Sequence, residues 1–297
     1  MPATHTTFID AHHHLWDLNA CHYPWLMARG ERRFFGDPAP IQQDYLVADF
    51  IDESKRFRPH KSVHIQVGVA EADSLRETQW LQSLVEFPHG IVAYAELESP
   101  TLGLDILRQK DSKKLRGIRQ IIGRHAEEDK KHGSDALLDN PHWIEGLALL
   151  AREHLSFDLQ LIPGQMERAF NALAKTPELK VALCHAGSPW DQSPAGLEHW
   201  RQGLRRFAQL PNFYCKVSGL GMFNPQWERE ELKPLILDVI DIFGPERVMF
   251  GSNFPVDKLY CSYDKLWSAY FDITAHFSAA ELKQMFYNSA ESFYRLG

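Results

Sequence analysis

Eight short β-rich runs, separated by longer amphipathic stretches, constrain the fold of this chain more than any other feature. The runs are 8–14 (FIDAHHH), 62–68 (SVHIQVG), 90–97 (GIVAYAEL), 117–122 (GIRQII), 157–161 (FDLQL), 181–187 (VALCHAG), 213–219 (FYCKVSG) and 247–253 (RVMFGSN). Between them lie stretches such as Ser74–Phe87, Pro141–Glu153, Gln165–Ala174, Gly196–Gln209 and Glu231–Phe243. Each repeats apolar residues three or four apart and is charged on its remaining face, the pattern of a surface helix. Strands alternating with helices pair in parallel through helical crossovers, so eight such units predict an α/β protein with a (β/α)8 barrel. A doubly wound open sheet is the alternative, but no GxGxxG follows the first run. A chain of 297 residues fits such a barrel as one domain over 1–297.

Two departures from the regular alternation stand out. The first connection, Leu15 to Lys61, is too long for an ordinary βα unit and carries Trp16, Tyr23, Trp25, Phe34 and Phe35. It reads either as a lid over the barrel mouth or as a plug that only packs. After the eighth run, Tyr263–Thr274 and Ser278–Leu296 read as closing helices, with Ser278 and Glu281 spaced as a capping box.

Charge and cysteine usage exclude some classes of function. Against 39 Asp+Glu the chain has 32 Lys+Arg, a formal charge of -7, with no dense basic run, which argues against nucleic acid as a partner. No apolar stretch approaches the ~20 residues of a membrane span, and no basic-then-apolar leader pattern opens the chain. The four cysteines, Cys21, Cys184, Cys215 and Cys261, form no CxxC, which favours a reducing, cytoplasmic setting.

Catalytic groups of a barrel gather at the carboxyl ends of its strands. Side chains alternate along a strand, so His12 and His14 point one way and His13 the other. The other run ends supply His64 and Gln66, Arg119, Gln160, His185, Lys216 and Ser218, and Asn253. So many polar ends at once suggest a site, because unpaired buried polar groups are costly.

The ordered set Asp10-Ala-His12-His-His14-Leu-Trp16, Tyr23-Pro-Trp25-Leu26, Ser62-Val-His64-Ile-Gln66 and Glu77-Thr-Gln-Trp80 resembles the amidohydrolase superfamily. So do Gly117-Ile-Arg119-Gln120, Cys184-His185-Ala-Gly187, Lys216-Val-Ser218-Gly219 and Met249-Phe-Gly251-Ser-Asn253-Phe-Pro255. The likeness runs from the first strand to the eighth. It is greatest to the amidohydrolase-related branch that holds sugar-acid lactonases and pyrone-dicarboxylate lactonases.

The resemblance implies a hydrolase that opens a small lactone to its hydroxy acid by activated water. His12, His14 and His185 match positions that in some relatives bind one divalent ion, zinc suiting imidazole best, and in others act without metal. This chain departs from the metal-rich pattern: its fifth run ends in Gln160 and its seventh carries Lys216. The resemblance also implies an aspartate at the eighth strand, and here Asn253 stands in its place. A carboxamide cannot take a proton from water at neutral pH. Asp257 and the histidines are the candidate bases. Trp16, Trp25, His64, Gln66, Arg119, Arg124, Gln160, Lys216 and Ser218 are the candidate substrate-binding residues, the arginines being suited to a carboxylated lactone. A metal-dependent amidohydrolase or decarboxylase, and a ligand-binding barrel without activity, remain open as alternatives.

Overall fold

The computed structural model describes residues 7–297. Its eight strands are β1 (Ile9–His13), β2 (Lys61–Ile65), β3 (Gly90–Ala93), β4 (Leu115–Ile121), β5 (Ser156–Gln160), β6 (Val181–Leu183), β7 (Phe213–Val217) and β8 (Val248–Phe250). They pair in sequence order, every neighbour parallel, as expected of a (β/α)8 barrel. Helices follow the strands and cover the sheet from outside. Leu204 and Phe207 of Pro194–Ala208 and Ile236, Val239 and Ile240 of Arg229–Phe243 are buried in the shared core.

The seam between β8 and β1 is closed by polar groups. Asn253 N–H donates to His12 O and His14 N–H to Phe254 O, each at 2.7 Å. The buried Asp10 carboxyl accepts from Ser252 N (2.9 Å), His12 N (3.2 Å) and Tyr263 Oη (3.0 Å). Burial pushes that carboxyl up to about 6, the hydrogen bonds working against the shift. The register of β1 on β2 slips between Asp10 and His13, a bulge-type irregularity where the strand delivers its histidines.

Inside the barrel, Ile9, Ala11, Val63, Ile65, Val92, Ala182 and Met249 pack with Phe293, Tyr294 and Leu296 from the C-terminal segment. The expected closing helix over Ser278–Leu296 is three pieces: Ala279–Lys283, a π-helical turn Gln284–Asn288, and Ser289–Tyr294. Ser278 caps it, accepting from Glu281 N while Glu281 reaches back to Ser278 N. Its last turn carries Tyr294 under the barrel, where Oη donates to Asp158 at 2.9 Å. Among the described residues no helix is long and apolar enough to cross a membrane.

The long connection after β1 contributes Trp25, Phe34 and Phe35 to the wall of a cavity at the barrel mouth, so it works as a cover. It is fastened at several points. Trp25 Nε1 donates to Val67 O (2.6 Å), Tyr260 Oη to Phe35 O (2.7 Å), and Arg33 pairs with Glu128.

Candidate active site

The cavity, about 950 Å³, opens at the carboxyl ends of the strands. His14, Arg119, Gln160, His185 and Asn253 are polar groups of its floor, charged residues such as Arg33, Arg124 and Glu128 line it further out, and Trp25, Phe34, Phe35, Val67 and Met222 give apolar walls. Two of these groups lie just past their strands. β6 ends at Leu183 and β8 at Phe250, and His185 and Asn253 occupy left-handed turns (φ 54° and 57°). Such conformations are uncommon outside glycine, and here they aim both side chains at the barrel axis. Gly219 makes the matching turn after β7 at φ 64°, where a Cβ would stand 2.4 Å from His185 Nδ1.

Three imidazoles converge on this floor. The His12 ring lies 5.1 Å from that of His14 and 4.6 Å from that of His185, centroid to centroid. Burial lowers the pKa of all three, which penalises the charged form. Lys216 adds to the effect at His12, and Arg119 at His14 and His185. His14 is brought down to about 3. The cluster is therefore neutral at physiological pH. His14 Nδ1 donates to Ile65 O at 2.7 Å, and its Nε2 faces the Asn253 carboxamide at 3.0 Å. His185 Nδ1 is 3.1 Å from Ser218 Oγ, which leaves Nε2 to act on a bound molecule. Both ring nitrogens of His12 are buried without a hydrogen-bond partner.

Arg119 crosses the floor from β4. It donates to Gln160 Oε1 at 3.2 Å and to the carbonyl of Gln66. Burial presses its pKa down, but a guanidinium keeps its charge in proteins. Arg124 also lines the cavity, 3.9 Å from Glu128.

Several expected site residues lie elsewhere, each for a definable reason. Trp16 is fully buried in the cover and donates Nε1 to Gln43 O at 2.6 Å, so it offers no face to a sugar. Gln66 spends its amide on Arg119 O (3.0 Å) and Gly68 N (2.7 Å). His64 accepts from Leu15 N at 3.1 Å and lies 3.9 Å from Glu77, beneath the cover. Lys216 is wholly buried in an ion pair with Asp158 and does not line the cavity. Ser218 reaches the site only through His185, and His12 only through the other two rings. The Asp257 carboxyl is buried behind Asn253 rather than in the cavity wall.

Other contacts of the site carried no sequence signal, although Phe34 lies in the connection that read as a lid. Phe34 stacks on His125 (5.5 Å, 7°) and on Phe223 (6.0 Å, 21°), a roof built from three separate loops. Glu128 binds Arg33 and accepts from Phe34 N at 3.1 Å. The partners lie over ninety residues apart, beyond the reach of any local pattern.

The residues present do not fit the divalent ion that the family likeness implies at His12, His14 and His185. Both nitrogens of His14 and one of His185 already face protein groups, which leaves only the His12 ring and His185 Nε2 open, fewer than the three imidazoles a zinc site uses, and the carboxamide at 253 adds no anionic ligand. Arg119 and Lys216 add positive charge. Among the described residues no group of three or more His, Cys, Asp or Glu side chains is placed to hold a metal.

Comparison with known proteins gives a consistent result. The amidohydrolase family profile matches residues 9–296. An uncharacterized protein of Sinorhizobium fredii is 40% identical over 292 residues, 97% of this chain and 98% of that one. An L-fucono-1,5-lactonase of Burkholderia multivorans is 27% identical over 273 residues, 88% of this chain and 86% of that one. A crystal structure of a Burkholderia multivorans amidohydrolase with bound zinc superimposes with a TM-score of 0.84 at 24% identity, covering 98% of this chain and 100% of that one.

Proposed function

This chain belongs to the amidohydrolase family, and from that premise we propose that it hydrolyses a small lactone derived from a sugar acid. The observation that carries the reading is a neutral imidazole and a guanidinium, His185 and Arg119, lining one cavity of about 950 Å³. Ester hydrolysis at neutral pH needs a base that is unprotonated and a positive group for the oxyanion. In this reading, His185 Nε2 takes a proton from water and the water oxygen bonds to the lactone carbonyl carbon. The carbonyl electrons move to the oxygen facing Arg119. Collapse breaks the ring C–O bond, and the imidazolium returns its proton to the departing ring oxygen. The product is a hydroxy acid whose carboxyl ionises. Gln160 is positioned by Arg119 to read a substrate hydroxyl, and Trp25 to cover an apolar ring face.

Sugar-lactone hydrolases among the distant relatives support the substrate class. Arg124 in the cavity wall supports a carboxylated lactone as the second substrate to try. The test is a pH-indicator screen of aldonolactones and a pyrone dicarboxylate, with chelator and with added zinc. Acid release from an aldonolactone in chelator is the expected result. Silence toward every lactone would overturn the reading, and activity only with zinc would favour the metal-dependent alternative.

A further inference from the structure

The Asp257 carboxyl is a buried group that hydrolysis by His185 does not use. It is 1% exposed, and neither oxygen has a hydrogen-bond partner within ordinary geometry. Its neighbours are the Asn253 side chain and the Gly221 amide. Gly221 allows this approach, since a Cβ there would stand 2.6 Å from Asp257 Oδ1. Burial pushes the carboxyl up to about 7. Tyr260 and Cys261 from the same loop, and Tyr270 from Tyr263–Thr274, face it with their own pKa values raised by burial, so they stay uncharged. Lys258, next in the chain, turns away to Glu53.

Asn253 stands between this carboxyl and His14, and donor counting decides how it is oriented. The Ile65 carbonyl can only accept, so His14 carries a proton on Nδ1. A neutral His14 then has only a lone pair at Nε2. With the Asn253 oxygen 3.0 Å from that nitrogen, two lone pairs would face each other, while Asn253 Nδ2 is turned to the Asp257 side. The oxygen and nitrogen of a carboxamide are isosteric, and their direction is read from the surrounding donors and acceptors. A half-turn places N–H on His14 Nε2 and turns the oxygen toward Asp257. That oxygen then requires a donor, and the Asp257 hydroxyl is the one beside it. The opposite direction suits an ionised Asp257, but it requires a second proton on His14, buried beside the Arg119 charge.

We propose that Asp257 is a positioning residue, whose carboxyl proton holds the Asn253 carboxamide with its nitrogen toward His14 and so fixes His14 as the Nδ1–H tautomer. The proposal assigns His14 a capped lone pair and leaves His185 as the base. It rests on reading this floor as the working site, but not on which ester is opened.

Nitrogen-15 NMR of histidine-labelled protein tests it without any substrate, the His14 signals being assigned from a His14→Gln variant. Below about pH 7, His14 in the wild type should show protonated Nδ1 and unprotonated, hydrogen-bonded Nε2. Asp257→Asn keeps a donor toward Asn253 and should preserve this signature on both sides of pH 7. Asp257→Ala removes the donor and should shift His14 toward a mixture of tautomers. Wild type should lose the signature as pH rises through the Asp257 titration near 7, and Asp257→Asn should not. A His14 protonated at Nε2 in the wild type, or a tautomer indifferent to Asp257→Ala, would overturn the proposal. If lactones fail while the NMR result holds, the substrate reading is at fault and the positioning role stands.

Discussion

Lys216→Met separates two readings of the seventh strand. As a substrate ligand, Lys216 would leave stability untouched when removed and weaken binding. The structure places it instead in a wholly buried pair with Asp158, whose other partner is Tyr294 Oη at 2.9 and 3.1 Å. Removing the ammonium leaves a carboxylate buried with one neutral donor, a change that costs about 3–5 kcal/mol. At about 2.1 cal/mol/K of unfolding entropy per residue, a chain of 297 residues loses roughly 1.5 °C of Tm per kcal/mol, so the variant should melt about 5–8 °C lower. Urea and thermal unfolding both measure this. The double variant Lys216→Met/Asp158→Asn removes the stranded charge while keeping an acceptor for Tyr294, and should recover at least half the loss. A single variant within about 1 kcal/mol of wild type, or a double variant no better than the single, would refute the buried-pair argument.

His185→Gln should reduce kcat on whichever lactone is turned over by about a hundredfold or more, the scale of a lost general base, with little change in KM. Phe34→Ala opens the roof that stacks on His125 and Phe223 and should raise KM several-fold while sparing kcat, read from steady-state kinetics. Stability should fall in acid: His12, His13, His14, His64 and His185 have depressed pKa values, so below about pH 6.5 only the unfolded chain takes up their protons. Asp10, Glu77 and Asp257, raised to about 6, 7 and 7, work the other way but are fewer, so stability should fall as pH drops below about 6.5, which urea titration at several pH values measures. Asn253→Asp keeps a residue type that tolerates φ 57° and supplies an anionic ligand beside His14, so it should bind zinc measurably more tightly than wild type by titration calorimetry.

The barrel was legible because its signal is repeated: eight β-rich runs alternating with amphipathic stretches cannot all be accidents, and each of β1 through β8 overlaps one of them. The polar strand ends led to His14, Arg119, Gln160, His185 and Asn253 because position at a strand's carboxyl end is a local property. What the sequence did not carry is direction and partnership. Lys216 and Asp158 read as unrelated residues 58 positions apart, and only the closed barrel turns them toward each other. Trp16 and Trp25 look equivalent in sequence, but antiparallel bridging to Tyr45 buries the first while the second reaches the cavity. His185 and Asn253 lie within β-like runs, and their left-handed backbone depends on the space that Gly219 and neighbouring turns leave open.

A carboxamide rather than a carboxylate at position 253 is consistent with the rest of the floor. A carboxylate 3 Å from His14 would favour the imidazolium and, with Asp257 adjoining, would force two carboxyls to share a proton. The carboxamide does neither. It bridges a neutral histidine to a buried acid while adding no charge, and so leaves Arg119 as the positive group lining the floor of the cavity between His14 and His185. A site so arranged is suited to substrates that arrive neutral and develop negative charge on one oxygen during reaction, because the guanidinium then gains most at the transition state rather than in the bound substrate. A lactone carbonyl is such a group. A substrate already ionised at the reacting carbon would be held more tightly in its ground state, and the same guanidinium would slow it.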